Sequence, residues 1–174
     1  MSNYKPLTCF KAYDVRGKLD EELNEEIAYR IGRATAQFLN ANTVVVGFDS
    51  RATSADLAQS LGRGICHAGA NVLDIGLAGT EEMYAAVSEF GACAGIEVTA
   101  SHNPINYNGM KIVKHCSQPL KDQEFARIKQ LAEQNNFILS KPSGSVTGNR
   151  SGARSKYVEK ILGFVDLPSL KTRK

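Results

Sequence analysis

Hydrophobic and polar positions along this chain switch back and forth between helical and strand spacing. Residues 24–39 place Ile27, Ile31, Ala34 and Phe38 on one helical face; Asn24 is suited to cap the start, and Glu25 and Glu26 favour the positive end of the helix dipole. The β-branched run Thr43–Phe48 that follows is bounded by polar residues and reads as a buried strand. A second helix is expected from Ser54, with Leu57, Leu61 and Ile65 inward and Gly69 as its left-handed C-terminal cap. Asn71–Ile75 predicts a strand, Thr80 caps a helix carrying Met83, Tyr84, Val87 and Phe90, and Cys93–Thr99 predicts another buried strand. After a polar loop come a short strand over Gly109–Val113 and a helix over Asp122–Glu133 with Phe125, Ile128 and Leu131 inward.

Strands alternating with helices imply a three-layer α/β/α domain with a largely parallel sheet. Asn108-Gly109 reads as a turn that adds at least one antiparallel pair, so a mixed sheet is expected. Residues 140–152 are rich in turn formers and read as a linker, followed by a helix over Ala153–Val165. The expected organisation is a first domain over 1–140, with 141–174 as linker and helix leading toward a second domain.

Composition changes this reading little. The chain has 43% hydrophobic and 22% charged residues, which suits a water-soluble domain with a core. No apolar run is long enough to span a bilayer, and the first residues hold no signal-like segment, so a cytoplasmic protein with no membrane partner is expected. Cys9, Cys66, Cys93 and Cys116 form no CxxC pair and are expected to be free thiols. Cys66-His67 and His115-Cys116 lack the partner pair that a zinc site needs. The net charge of +3 divides unevenly: residues 1–140 hold 13 Lys/Arg against 16 Asp/Glu, and residues 141–174 hold 8 against 2. With only Tyr157 and Phe164 as aromatics, that basic tail is a poor nucleic-acid surface, and no nucleic-acid partner is expected.

Chemistry concentrates after the Cys93–Thr99 strand, where α/β sheets open onto their ligand crevices. Thr99-Ala100-Ser101-His102-Asn103-Pro104 leaves Ser101 near the apex of a turn, and Asn108-Gly109-Met110-Lys111 returns a lysine to the same rim. Tyr13-Asp14-Val15-Arg16-Gly17 offers a guanidinium for gripping a phosphate. Asp49 and Arg51, at the end of the first central strand, suit an ion pair that braces the site, with direct substrate contact as the alternative. A nucleophilic oxygen, cations and a proton shuttle are what phosphoryl transfer needs, and Ser101, Arg16, Lys111 and His102 could supply them. A serine hydrolase fits worse: adjacent residues on an extended segment point to opposite sides, and there is no Gly-x-Ser-x-Gly elbow.

Together these motifs resemble the α-D-phosphohexomutases, in the same order and spacing, over roughly residues 8 to 170. Glu97-Val98-Thr99 and Gly79-Thr80-Glu81-Glu82-Met83 are most similar to the family's bacterial phosphomannomutases, which feed GDP-mannose synthesis. The resemblance implies the first domain of that architecture, with a phosphorylated Ser101 that passes its phosphoryl group to a hexose monophosphate and takes one back from the bisphosphorylated sugar. Mannose 1-phosphate and mannose 6-phosphate are the implied substrates. His102 and Lys111 would manage protons, Arg16 would stabilise the transferring group, and Tyr13, Arg16, Asn103 and Lys111 would bind substrate. The phosphoryl oxygen on Ser101 would be one ligand of Mg²⁺.

The family takes its other Mg²⁺ ligands from an Asp-Gly-Asp-x-Asp-Arg loop in a later domain, and this chain has no Asp-x-Asp. The expectation is therefore a fragment that cannot complete mutase turnover alone. The alternatives are a phosphoglucomutase or phosphoglucosamine mutase of the same family, or a non-catalytic module that binds sugar phosphates.

Overall fold

Strand β1 (Val15–Lys18) opens the chain's regular structure, followed by α1 (Glu25–Phe38), β2 (Thr43–Phe48), α2 (Ser54–His67) and β3 (Asn71–Leu77). Then come α3 (Thr80–Glu89), β4 (Ala94–Val98), β5 (Tyr107–Lys114), α4 (Asp122–Gln134), β6 (Val146–Gly148) and α5 (Arg150–Leu162). The computed structural model describes residues 6–138 and 143–170. The strands form one sheet in the order β1-β5-β4-β2-β3-β6. Strands β4, β2, β3 and β6 run parallel, and β5 is antiparallel to both β4 and β1. The result is the expected three-layer α/β/α domain with a mixed, mostly parallel sheet.

Side-chain alternation sorts the layers. In β2, Val44 and Val46 join the core shared with α1, α2 and α4, while Val45 faces α3 and α5. In β4, Ala94, Ile96 and Val98 take the first side. Gly95 takes the second, where a Cβ would strike Met83 and Val87 of α3. Alternation puts Glu97 on that second side as well. Both faces of the central strands are covered, which is why they read as continuous apolar runs.

The tightest helix packing is between α1 and α2. A Cβ at Gly32 would meet the Leu61 carbonyl oxygen, and one at Gly64 the Tyr29 carbonyl oxygen, both inside the 3.0 Å that real Cβ atoms keep. Asn24 caps α1 as expected, its side chain accepting from the Ile27 amide at 2.9 Å. Gly69 adopts φ +87° after α2, also as expected.

Several elements differ from the sequence reading. Asn108-Gly109 is no turn: both lie inside β5, which runs from 107 to 114, and the β4–β5 connection is the loop before it. The segment that the sequence marks only for gripping a phosphate is also a strand, residues 15–18 of β1 pairing with 107–110 of β5. Helix α3 is capped by Gly79, not Thr80, and Phe90 is its C-cap, 38% exposed; Met83 and Val87 are buried as expected, and Ala86, which was not among the expected inward residues, is buried with them. The 140–152 stretch is not all linker. Residues 140–142 lie outside the described residues, but Val146–Gly148 add β6 in parallel to β3, and α5 starts at Arg150.

The uneven charge finds a partial explanation here. Arg150 pairs with Asp74 at 2.8 Å, Arg154 with Glu82 at 2.9 Å, and Lys156 with Glu89 at 3.7 Å, so basic α5 docks on acidic positions of β3 and α3. The four cysteines are free. Among the described residues, no helix is long and apolar enough to cross a membrane.

Alanine at an open helical glycine site gains up to about 1 kcal/mol. At Gly32 the clash with a backbone oxygen should outweigh that gain, and Gly32→Ala should destabilise the domain by about 1–3 kcal/mol in urea unfolding. Unchanged or increased stability would show that α1 and α2 can part at little cost.

Candidate functional site

Loop 99–106 leaves the C-terminal end of β4 and folds back into β5. Ser101 sits on it in the left-handed region, φ +54°, and is exposed. Such a conformation costs a non-glycine residue on the order of 1 kcal/mol or more, and it persists only where neighbours enforce it. Here the enforcement is visible. The Ser101 amide donates to Thr99 Oγ1 at 2.9 Å, and the Asn103 amide to the Ala100 carbonyl at 3.1 Å.

Arg51 supplies the main restraint. Its guanidinium donates to the carbonyls of Ser101 (3.1 Å), Asn103 (2.6 Å), Pro104 (2.8 Å) and Tyr107 (3.2 Å). Asp49 holds the other side of the group, 3.5 Å from Nε, and also accepts from the Arg51 amide at 3.0 Å and from the Ser54 hydroxyl. The Asp49–Arg51 pair therefore braces the loop, as the sequence suggested.

Arg16 reaches the same loop from β1. It donates to the carbonyls of Val15 (3.1 Å) and Thr99 and pairs with Asp14 at 2.9 Å. Burial lowers its proton affinity below the usual arginine value, Asp14 opposes that, and the nearby charge of Arg51 adds to it. The two guanidiniums lie within range of one another, both 14% exposed at the side chain, and each is matched by its own carboxylate, Arg16 by Asp14 and Arg51 by Asp49. The glycine at 109 now has a reason. A Cβ there would strike the Val15 carbonyl oxygen and Arg16 Nη1, so Gly109 makes room for Arg16 across β5.

The other expected residues surround this base. Asn103 is half-buried and His102 exposed on the loop. Lys111 is half-buried on β5 and shares with Tyr13, Tyr84 and Phe125 the lining of a hollow of about 300 Å³; Tyr13 itself is 85% exposed. Among the described residues, no hydrogen bond joins Ser101 Oγ, the His102 ring and the Lys111 ammonium. No group of three or more His, Cys, Asp or Glu placed to hold a metal occurs among them either.

Two buried polar residues here have structural roles that the sequence motifs containing them do not announce. Asn108, fully buried, donates to Thr53 Oγ1 at 3.0 Å and Ser54 Oγ at 2.9 Å and so ties β5 to the start of α2. Glu97, 1% exposed on β4, has no hydrogen-bond partner for either carboxyl oxygen among the described residues. Burial, reinforced by the charges of Asp49, Glu82 and Glu81, pushes its carboxyl up to about 9. A charged residue in the middle of an apolar strand was the available signal.

Comparison with known proteins covers nearly all of this architecture. Residues 8–139 match the family described as phosphoglucomutase/phosphomannomutase, alpha/beta/alpha domain I. A phosphomannomutase of Escherichia coli is 52% identical over 162 residues, covering 92% of this chain and 36% of its own length. A phosphomannomutase of Klebsiella pneumoniae is 53% identical over 154 residues, covering 88% of this chain and 98% of its own. The crystal structure of a phosphoglucomutase/phosphomannomutase family protein from Burkholderia thailandensis superposes with a TM-score of 0.76 at 32% identity, covering 89% of this chain and 35% of that one. The chain thus spans about a third of the E. coli and B. thailandensis relatives.

Replacing Arg51 by Lys keeps the charge but not the planar fork that reaches four carbonyls. Backbone amides of residues 100–107 should then exchange with deuterium at least about tenfold faster, while those of β2 and β4 stay protected. Unchanged exchange in the loop would show that its own turns suffice to hold it.

Proposed function

The chain belongs to the phosphoglucomutase/phosphomannomutase family, and from that premise we propose that it bears the phosphoserine step of a phosphohexomutase, with Ser101 as the phosphoryl carrier. The observation that carries this reading is Ser101 itself. It is an exposed hydroxyl held in a left-handed turn, with its backbone clamped by Arg51 and the loop base lined by a second guanidinium from Arg16. A loop fixed before reaction needs no reorganisation to place its oxygen in line with phosphorus.

In the proposed cycle a sugar hydroxyl oxygen attacks the phosphorus on Ser101. The P–Oγ bond breaks as the new P–O bond forms, leaving a hexose bisphosphate and a free serine. After the sugar turns over, Ser101 Oγ attacks the other phosphorus, and a hexose monophosphate leaves with its phosphate at the other position. His102 and Lys111 exchange protons with the attacking and leaving oxygens. Arg16 stabilises the transferring group, and Tyr13 and Asn103 contribute to binding the sugar phosphate. Mg²⁺ would supply charge neutralisation at the phosphoryl group. Of these residues, a phosphoryl oxygen on Ser101 would be the hard donor that fits it, and no group of three or more His, Cys, Asp or Glu placed to hold the ion occurs among the described residues.

The names of the relatives support mannose 6-phosphate and mannose 1-phosphate as the substrate pair, and through them a supply of mannose 1-phosphate for GDP-mannose synthesis. Glucose and glucosamine phosphates are the competing substrates within the family.

Two measurements test the reading. Joined to the remaining two-thirds of the E. coli relative, the chain should interconvert the mannose phosphates, and Ser101→Ala in that chimera should lower turnover by at least about a thousandfold. Near-normal turnover of the alanine variant would remove Ser101 from its role. The 174-residue chain alone should leave mannose 6-phosphate unconverted in Mg²⁺ buffer, and steady production of mannose 1-phosphate would show that the site is complete without further sequence.

A further inference from the structure

Glu97 presents a buried carboxyl that nothing in the described structure satisfies. An unpartnered ionised carboxylate in such a place costs several kcal/mol, so the group either stays neutral or finds a cation. The sheet provides both a resting place and a cation. On one side, β2 carries Gly47 directly beside Glu97, and a Cβ there would collide with Glu97 Oε2, so the carboxyl lies in the space a side chain would fill. On the other side, Lys111 of β5 is the direct antiparallel partner of Glu97. Opposed residues of such a pair place their Cβ atoms about 5 Å apart on one face, well within the reach of a lysine. Among the described residues, the Lys111 ammonium has no ion-pair partner, and its side chain lines the hollow beside Tyr13. The remaining charges that face Glu97 are acidic: Asp49 at the end of β2, held by Arg51, and Glu81 and Glu82 on α3, the latter paired with Arg154 of α5.

We propose that Glu97 is a positioning residue for Lys111, an inward partner that draws the ammonium off the phosphate rim so that Lys111 alternates between rim and sheet. This rests on the role given to Lys111 above. With Lys111 outward, Glu97 keeps its proton and is neutral. When Lys111 turns inward, the Glu97 O–H bond breaks, the proton leaves to water, and the carboxylate accepts an N–H from the ammonium; no other bond changes. A phosphate at the rim competes for the same ammonium and returns the proton to Glu97.

The test is a carbon-13 NMR titration of the 174-residue chain with labelled glutamate carboxyls, the Glu97 signal being identified by its loss in Glu97→Gln. Lys111→Met removes the cation at a half-exposed position. If the pair forms, the Glu97 midpoint in the parent chain lies at least one pH unit, a tenfold change in proton affinity, below that of Lys111→Met, and Lys111→Arg keeps it low. Equal midpoints in the parent and Lys111→Met overturn the proposal, because a carboxylate that accepts the ammonium must titrate lower when the ammonium is present. The readout does not depend on turnover. An inactive chimera with coupled titration sinks the phosphoryl-carrier reading and leaves the pair standing, while an active chimera with uncoupled titration sinks the pair alone.

Discussion

The guanidinium of Arg51 is fixed on one side by Asp49 and donates on the other to the carbonyls of Ser101, Asn103, Pro104 and Tyr107. A loop of this length leaves several carbonyls without ladder partners, and each would otherwise depend on water. One planar cation with donors in a fixed fork satisfies three of them, together with the Tyr107 carbonyl at the start of β5, and fixes their relative positions. The left-handed turn at Ser101 is held by that restraint together with the amide bonds of Ser101 to Thr99 Oγ1 and of Asn103 to the Ala100 carbonyl. Asp49 stands at the end of β2 and also accepts from Ser54 at the start of α2, so the loop is referenced to a central strand and a helix instead of to its own flexible length.

The same economy of space appears at three glycines. Gly109 leaves β5 bare so that Arg16 can cross it, Gly47 leaves β2 bare beside the Glu97 carboxyl, and Gly95 lets α3 settle on β4. At all three the glycine is required by the absence of a side chain and not by an unusual backbone angle. Close packing turns these gaps into addresses: Arg16 and the Glu97 carboxyl occupy two of them, and Met83 and Val87 of α3 the third. Charge then completes the second face, since basic α5 docks on acids of β3 and α3.

This division explains what was legible in the sequence. The helices and central strands announced themselves because both faces of the sheet are buried and the helices carry one apolar stripe each, patterns set by period alone. Ser101, Arg16, His102 and Lys111 could be singled out as a group because the motifs around them resemble a family; spacing by itself left their convergence open. Asn108-Gly109 misled because the dipeptide has two unrelated uses. A turn needs its backbone freedom, whereas β5 needs a buried amide to hold α2 and a missing Cβ to admit Arg16. Strands β1 and β6 are short edge strands of four and three residues whose pairing partners lie about ninety and seventy positions away, so no local pattern marks them. The grip of Arg51 was only partly foreseen. Its ion pair with Asp49 could be read from two residues of spacing, but its carbonyl acceptors are backbone groups, which every residue has and no sequence distinguishes.

Glu97 shows how far the balance between stability and chemistry can be inferred from one residue. An apolar side chain on β4 would fill the space above Gly47 with no electrostatic cost, and the neighbouring acids Asp49, Glu81 and Glu82 make a carboxylate there less favourable still. Core packing therefore gives no reason for a glutamate. The arrangement becomes economical only if the carboxyl has a second state in which a cation compensates it, and the β4–β5 register brings forward Lys111 as the opposed residue on that face. A neutral acid beneath a mobile ammonium is a two-position device, whose preference is set by whatever negative charge the rim holds. Arg51 keeps the backbone of the loop still, and the Glu97–Lys111 ladder position is where movement is left to the site.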